Sequence, residues 1–472
     1  MTQESLTAKI IAEGELVLDV PLLIGSGGSE EGNQIDIHVL RDKDGIPYIP
    51  GTSLAGVLRA FVEADDANTG ALIFGTPQDS HGKAALELQS AISLYDVQLS
   101  DAKTIVRDGV SLDGATGVAL AHHKFDYEAI DSGAHGPFRM EITLRGIHTE
   151  HEKDIKKIKK VLERLRGRLL GGFYLGARTT KGFGRVHLKD IRVDTYDFSN
   201  PKDVISWLRP KRANAEDHAE YIGDTEKRVY AENDFVIDAD FALAHSLIIR
   251  DYDKLARDAA SHDETSISAV MKRDGRGNYI IPGTSLKGVL RHRAAYIVRQ
   301  LGSTGDFDAA EAFVERVMGP SPETMKKHPN EAKKRSDFVV DEAVISQGVI
   351  EADQSRNRID RFTGGTIDTA LFTTKPIWQK NHGESVVRLH FGVKDAEEWE
   401  AGLALLLLKD LWLGRTAIGG EKSIGRGTLE GISATVSYLG DAWTIQKGEP
   451  VDEEAAEFMQ EFVSALVEEV RA

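Results

Sequence analysis

The chain contains no cysteine, which excludes disulfide bridges and thiolate-bound zinc and fits a reducing cytoplasm. It has no long hydrophobic run. The longest, Leu403 to Leu408, stops at Lys409 and Asp410, too short to cross a bilayer and read as a buried helix. The first twenty or so residues lack the charged and apolar regions of a secretory signal. There is no excess of positive charge: the net charge is −17 over 472 residues, which argues against a free-standing nucleic-acid binder. A local basic groove stays open, because phosphate contacts depend on local charge. No Walker-type G-x-x-x-x-G-K-[ST] loop occurs. What remains is 41% hydrophobic and 28% charged, ordinary globular composition with length for two cores.

The dominant feature is an internal repeat. IPGTSLAGVLR runs from Ile49 to Arg59, and IPGTSLKGVLR from Ile281 to Arg291, differing only at Ala55 and Lys287. Further blocks follow in the same order. IFGTP from Ile73 is answered by VMGPS from Val317, AISLYDV ending at Val97 by SDFVVDE ending at Glu342, and LDGATG from Leu112 by IDRFTG from Ile359. LGARTTKGFGRV from Leu175 is answered by IGGEKSIGRGTL from Ile418. Blocks held in register over most of the chain mean duplication and two domains of one fold. The divisions are 1–195 for the first domain, 196–233 for a linker, 234–440 for the second domain and 441–472 for a C-terminal helical extension. In that extension Phe458, Phe462, Leu466 and Val470 recur at helical spacing, read either as packing on the second domain or as docking on a partner.

Each unit reads as strand, helix, two strands, helix, strand. An alternating strand opens it, and a second strand ends at Pro-Gly before a helix that Thr52-Ser53 or Thr284-Ser285 begin. That order predicts an α+β fold, two tandem ferredoxin-like sheets of the RNA-recognition type carrying thumb insertions. Thr52 or Ser53 as helix caps would turn a positive dipole end outward, where it attracts phosphate. Arg59, Lys287 and Arg291, with His292 and Arg293, add positive charge on these helices; a plain capped helix is the blander reading. The Gly-rich segments set Arg178, Lys181 and Arg185 in the first unit, and Lys422 and Arg426 in the second, among matched glycines whose backbone a polyanion can approach. The second helices differ. HEKDIKKIKKVLERLRGRLL has a strongly basic face, turned to RNA, to an acidic neighbour or to solvent; EEWEAGLALLLLKDLWLG is apolar nearly all round and is expected to be covered by another domain or subunit.

Taken together, PGTSL-x-G after the second strand, an IDRFTG-like element in mid-domain and a C-terminal Gly-rich loop resemble the RAMP superfamily. More narrowly, they resemble the backbone subunits of type III CRISPR effector complexes, here as a tandem fusion. The resemblance spans residues 8–192 and 234–440. It implies a palm holding the guide RNA backbone, a thumb hairpin that wedges between bases of the guide–target duplex, and as partners the guide (CRISPR) RNA, complementary target RNA and other effector subunits, with no membrane.

In the cutting members of that family an Asp lies in an I-D-x-x-V context before the PGTSL strand. The match here is Ile35-Asp36-Ile37-His38-Val39. The resemblance thus implies that Asp36 is catalytic, supporting metal-dependent attack of a ribose 2′-OH on the adjacent phosphate. Asp36 is the candidate ligand of a divalent ion, Mg above all, and His38 a candidate acid–base helper. Opposite this segment the alignment sets Ser266-Ile267-Ser268-Ala269-Val270, without an Asp; Asp263 is a shifted alternative, and a second unit that binds without cutting is favoured. The first unit also lacks the His that many relatives carry beside Gly25.

Thumb candidates are Thr116–Pro137, with His123 and Lys124, and Thr363–His382, with Trp378; Arg361 lies just before the second. Expected RNA contacts are thus Thr52, Ser53, Arg59, His123, Lys124, Arg178, Lys181, Arg185, Thr284, Ser285, Lys287, Arg291, Arg361, Lys422 and Arg426. Three other readings stay open: a structural RNA-binding backbone with Asp36 inert, a guide-processing endonuclease of the same superfamily, and a protein scaffold that binds no RNA.

Overall fold

The structure is a computed structural model that describes residues 5–27, 35–64, 66–76, 88–113, 119–149, 152–208, 219–222, 230–252, 267–302, 305–328 and 334–472. Each unit is built on an antiparallel sheet. In the first, the strand Leu6–Leu18 lies between Arg185–Asp197 and His135–Arg145, and Ile92–Leu94 flanks the latter. In the second, Phe235–Leu243 lies between Leu429–Tyr438 and Val387–Val393, with Phe338–Val340 and Ala343–Ile345 beyond. Counting only the four strands of the βαββαβ path, both sheets run fourth, first, third, second, the ferredoxin-like order.

Alternation explains the burial. In the first unit Ala12, Leu16 and Leu18 face a core closed by Leu54 and Leu58 of the helix Gly51–Glu63 and by Ile158, Leu165 and Leu169 of the helix Glu152–Gly171. Phe235, Ile237 and Phe241 do the same against Leu286 and Leu290 of the helix Gly283–Leu301 and Leu407 and Leu411 of the helix Glu398–Trp412. Among the described residues no helix is long and apolar enough to cross a membrane.

Two of the divisions are built differently from expectation, while the terminal helix packs on the second domain, the first of its two readings. The segment read as linker continues the first unit: the strand Ala219–Ile222 adds to the edge of Arg185–Asp197, and Trp207 of the helix Pro201–Leu208 packs on Phe198, with ring centroids 5.2 Å apart. The extension begins not with a helix but with the strand Asp441–Gln446, paired with Leu429–Tyr438. The partner that covers the apolar helix Glu398–Trp412 is the chain's own terminal helix Glu453–Arg471, which buries Phe462 and Leu466. A methyl group at Gly402 would stand 2.1 Å from the Phe462 carbonyl oxygen, so only glycine permits this crossing.

The hairpins are placed differently from the sequence reading as well. The first is Thr104–Leu112 with Ala119–Ile130; His135 onward belongs to the palm. The second is Gln354–Ile359 with Thr366–Lys375, so its tip is 360–365, where Phe362 is 99% exposed beside the exposed Arg361. Trp378 lies at its base, under the Arg426 guanidinium 5.3 Å away, because the strand Ile377–Gln379 pairs with Ser246–Leu247.

Candidate RNA-cleaving and RNA-binding site

The segment carrying Asp36 lies along the base of the first hairpin. Ile37 pairs in parallel with Tyr127, and Val39 pairs with Gly25 on its other side. Asp36 is exposed. Its amide donates to the Asp126 carbonyl (2.9 Å), and its Oδ2 accepts from the Asp126 amide (2.8 Å). One register further, the carboxylate of Glu128, 8% exposed, accepts from the Val39 amide (3.1 Å) and pairs with Arg41. The His38 Nδ1 lies 3.6 Å from the same carboxylate. Asp36 and His38 are therefore positioned by bridges to the hairpin and to Gly25 and by the contacts with Asp126 and Glu128. The anchoring role of Glu128 was legible in the alternation Lys124, Asp126, Glu128 on one face of its strand.

The second unit repeats this ladder. Met271 pairs with Arg250 as Val39 pairs with Gly25, and Ile267–Val270 runs parallel to Thr366–Lys375. This register corrects the alignment by one residue. The counterpart of Asp36 is the exposed Ser268, at the same spacing that separates Ile49 from Ile281. No carboxylate stands there; Asp263 lies outside the described residues.

Among the described residues no group of three or more His, Asp or Glu is poised around one point. The exposed Asp36 carboxylate is of the kind that magnesium, which keeps most of its waters, takes together with substrate phosphates.

The Gly-rich loops share one backbone. Arg178 and Glu421 have φ of 59° and 57°, and Gly182 and Gly425 have φ of 82° and 86° around a short 3-10 turn. Their surroundings differ. A methyl group at Gly182 would stand 2.6 Å from the Glu342 amide nitrogen, whereas one at Gly425 would meet nothing within 4 Å. The first loop is wedged against the second unit; the second loop is open. Around this junction Arg107 pairs with Glu342 (3.0 Å), and burial pushes the Glu342 carboxyl above its ordinary range. Lys272 pairs with Asp108 (3.3 Å), and the Gly275 amide donates to Asp131 (2.9 Å).

Several expected RNA contacts are placed differently: Lys287 and Arg426 are buried, others are paired within the chain, and Thr52 stays exposed without capping its helix. The first helix is capped by neither Thr52 nor Ser53: Pro50 precedes it, and Asp96 accepts from the Gly51 amide (2.8 Å), so a carboxylate already occupies that dipole end. Thr284 and Ser285 also leave the cap to a Pro, Pro282, and the first loop packs Lys181 O against Gly283. Lys287, 5% exposed, donates to Ser336 Oγ (2.6 Å) and the Phe338 carbonyl (2.7 Å); burial, then Lys181 and Arg291, hold its pKa well below that of ordinary lysine. Arg291 bonds the Gly319 carbonyl and pairs with Glu311 and Glu315 (3.4 Å each). Arg185 pairs with Asp19 (2.6 Å), and Arg426, 2% exposed, with Glu421 (2.8 Å). Arg59 pairs along its helix with Glu63 (2.7 Å).

Two others stay outward, and a third is half-buried. Lys124 and Lys422 are exposed. Arg178 lies over Tyr127 and Phe125, 4.3 and 4.8 Å from their centroids. The side chain of His123 is outside the described set. Nothing in the sequence singles out Arg168, Arg335 or Lys394, which the fold brings to the junction beside Arg178.

Two comparisons bear on this arrangement. The chain is 26% identical over 223 residues to the CRISPR system Cms endoribonuclease Csm3 of Methanocaldococcus jannaschii, covering 41% of this chain and 84% of the relative. It is 28% identical over 211 residues to the protein of the same name from Methanothermobacter thermautotrophicus, covering 39% of this chain and 84% of the relative. The family model of the RAMP superfamily matches residues 16–187 and again 267–430, one match for each unit described above, and the chain therefore belongs to that superfamily.

Proposed function

We propose that this chain is a guide-RNA-binding backbone subunit of a type III CRISPR effector complex, and that its first unit cuts complementary target RNA. The observation that carries the reading is an asymmetry in one conserved geometry. Both units set the same segment beside the same hairpin, and among the described residues only the first exposes a carboxylate, Asp36, there. The Csm3 relatives, named as endoribonucleases of a CRISPR system, support RNA as substrate.

In this reading Asp36 is held by the Asp126 amide through Oδ2, and it would take a divalent ion through its carboxylate. Such an ion neutralises charge that builds on the attacked phosphate. Asp36 orients the reacting ribose and accepts its 2′ proton, and a protonated His38, beside the Glu128 carboxylate, gives a proton to the leaving oxygen. A positioned acid or base of this kind contributes about 10²–10⁴-fold. The second unit contributes its open Gly-rich loop and the exposed Phe362 tip to guide and duplex contacts, without cutting.

The first test is retention of RNA. Purification from cells carrying a matching guide array should give a complex with a raised 260/280 nm ratio, and sequencing should recover guide RNA. Loss of that RNA should steepen with salt, because displaced counterions set the strength of phosphate contacts. A complex purified without nucleic acid would leave the scaffold reading in its place. Processing of free precursor RNA by the isolated chain would favour the guide-processing reading.

A further inference from the structure

At the junction of the two units lies a cleft of about 460 Å³. The first unit lines it with Phe61, Arg168, Tyr174 and Arg178, and the second with Arg335 and Lys394. Four cations face it, and among the described residues no carboxylate belongs to its lining. Buried or half-buried cations that serve only structure are ordinarily paired with carboxylates. Arg168, Arg178 and Lys394 are half-buried and Arg335 is exposed, and all four are held in another way. Arg168 lies over the Phe61 ring at 5.2 Å, Arg178 over Tyr127 at 4.3 Å and Lys394 over Tyr174 at 5.0 Å, while Arg335 donates to Thr179 Oγ1 at 2.6 Å. Aromatic faces and a hydroxyl fix a cation without neutralising it. The Nε of Arg168 is buried and has no hydrogen-bond partner among the described residues.

Mutual repulsion shows in the same group. Burial, then Arg335 and Arg168, lower the Lys394 pKa from that of ordinary lysine, and burial lowers those of Arg168 and Arg178. Asp234 and Asp341 act on Lys394 from outside the lining, and Asp341 is engaged by the Tyr174 hydroxyl (3.3 Å).

We propose that this cleft is a phosphate-binding site assembled jointly by the two units. Guanidinium forks matched to phosphate oxygens, a lysine point charge and a hydroxyl at the rim suit a phosphate monoester or diester. The assignment to phosphate stands on the cleft alone. That the phosphate belongs to an RNA strand rests on the function proposed above; the alternative source is a small phosphorylated molecule. Because Arg335 and Lys394 come from the second unit and Arg168 and Arg178 from the first, bound phosphate would also clamp the units together.

The test is calorimetric titration of the purified full chain, at low salt, with inorganic phosphate and with a short oligoribonucleotide. Both are repeated for Arg335→Gln, Lys394→Gln and, as a control, Lys156→Gln, whose exposed side chain pairs with Glu152 on the outer helix face. Phosphate binding should fall about tenfold in each of the first two and stay unchanged in the control, the loss expected for one charge-assisted hydrogen bond. If the oligonucleotide weakens in parallel and its salt slope drops by about 1, the phosphate is that of RNA. If phosphate binding falls while oligonucleotide binding does not, the site takes a small phosphorylated molecule, and the proposal of a phosphate site stands. No measurable phosphate binding by the unaltered chain, or binding indifferent to both substitutions in variants with unchanged circular dichroism, overturns it.

Discussion

The two Gly-rich loops provide an internal control on how the units meet. Gly182 and Gly425 share a left-handed backbone (φ 82° and 86°), so alanine at either costs about 1–2 kcal/mol from conformation alone. At Gly425 nothing else opposes it, since no atom lies within 4 Å of the added methyl. At Gly182 the methyl would stand 2.6 Å from the Glu342 nitrogen and 3.1 Å from the Asp341 carbonyl carbon. Carbon contacts settle near about 3.5–4.0 Å, so the backbones must part by close to an ångström. Overpacking of that kind costs about 1–3 kcal/mol. Gly182→Ala should thus exceed Gly425→Ala by about 1–3 kcal/mol in urea unfolding followed by tryptophan fluorescence. Hydrogen exchange should locate the difference at the Asp341 amide, which donates to the His390 carbonyl (3.0 Å) beside the contact. Equal losses in the two variants, with unchanged exchange at Asp341, would refute the docking of the first loop on the second unit.

Other expectations follow from the same geometry. Glu342→Ala leaves Arg107 charged and unpaired at 2% exposure, and should destabilise the chain by about 3–5 kcal/mol in the same unfolding assay. Gly402→Ala forces the terminal helix off Glu398–Trp412, and should speed proteolytic removal of residues 453–471 before the rest of the chain is cut. His148 accepts from the Arg145 amide (2.9 Å), and burial, with Arg145 adding to it, lowers its pKa from 6.5. The unfolded chain therefore takes up a proton that the folded one refuses. Stability should fall as pH drops below about 6.5, by up to about 1.4 kcal/mol per unit, and His148→Gln should remove that part of the slope.

The duplication and the sheet order were legible because alternating strands and Pro-Gly, Ser-Thr and Gly-rich punctuation survive in both copies. The one-residue slip at Asp36 arose because the strand Ile267–Val270 follows an unmatched stretch, and only its ladder to Arg250 and Thr366–Lys375 fixes the register. Charge was the least legible property. Lys287 and Arg426 read as surface cations from sequence spacing, yet one is buried under Phe338 and Ser336 and the other pairs with Glu421, since local sequence does not reveal what tertiary neighbour covers a side chain. Arg168 and Lys394 were invisible for the converse reason: they lie far apart in the chain and acquire meaning only where the units meet.

The central claim is that one unit cuts and the other does not. Its most direct measurement is a cleavage map on a long complementary RNA, made with guide-loaded complex carrying Asp36→Ala or Asp263→Ala in this subunit, with and without excess chelator. The account predicts that Asp36→Ala removes a single cut for each copy of the chain, that Asp263→Ala leaves the map unaltered, and that chelation abolishes the cut assigned to Asp36. An unchanged map in the Asp36 variant, or a distinct cut lost in the Asp263 variant, would contradict it.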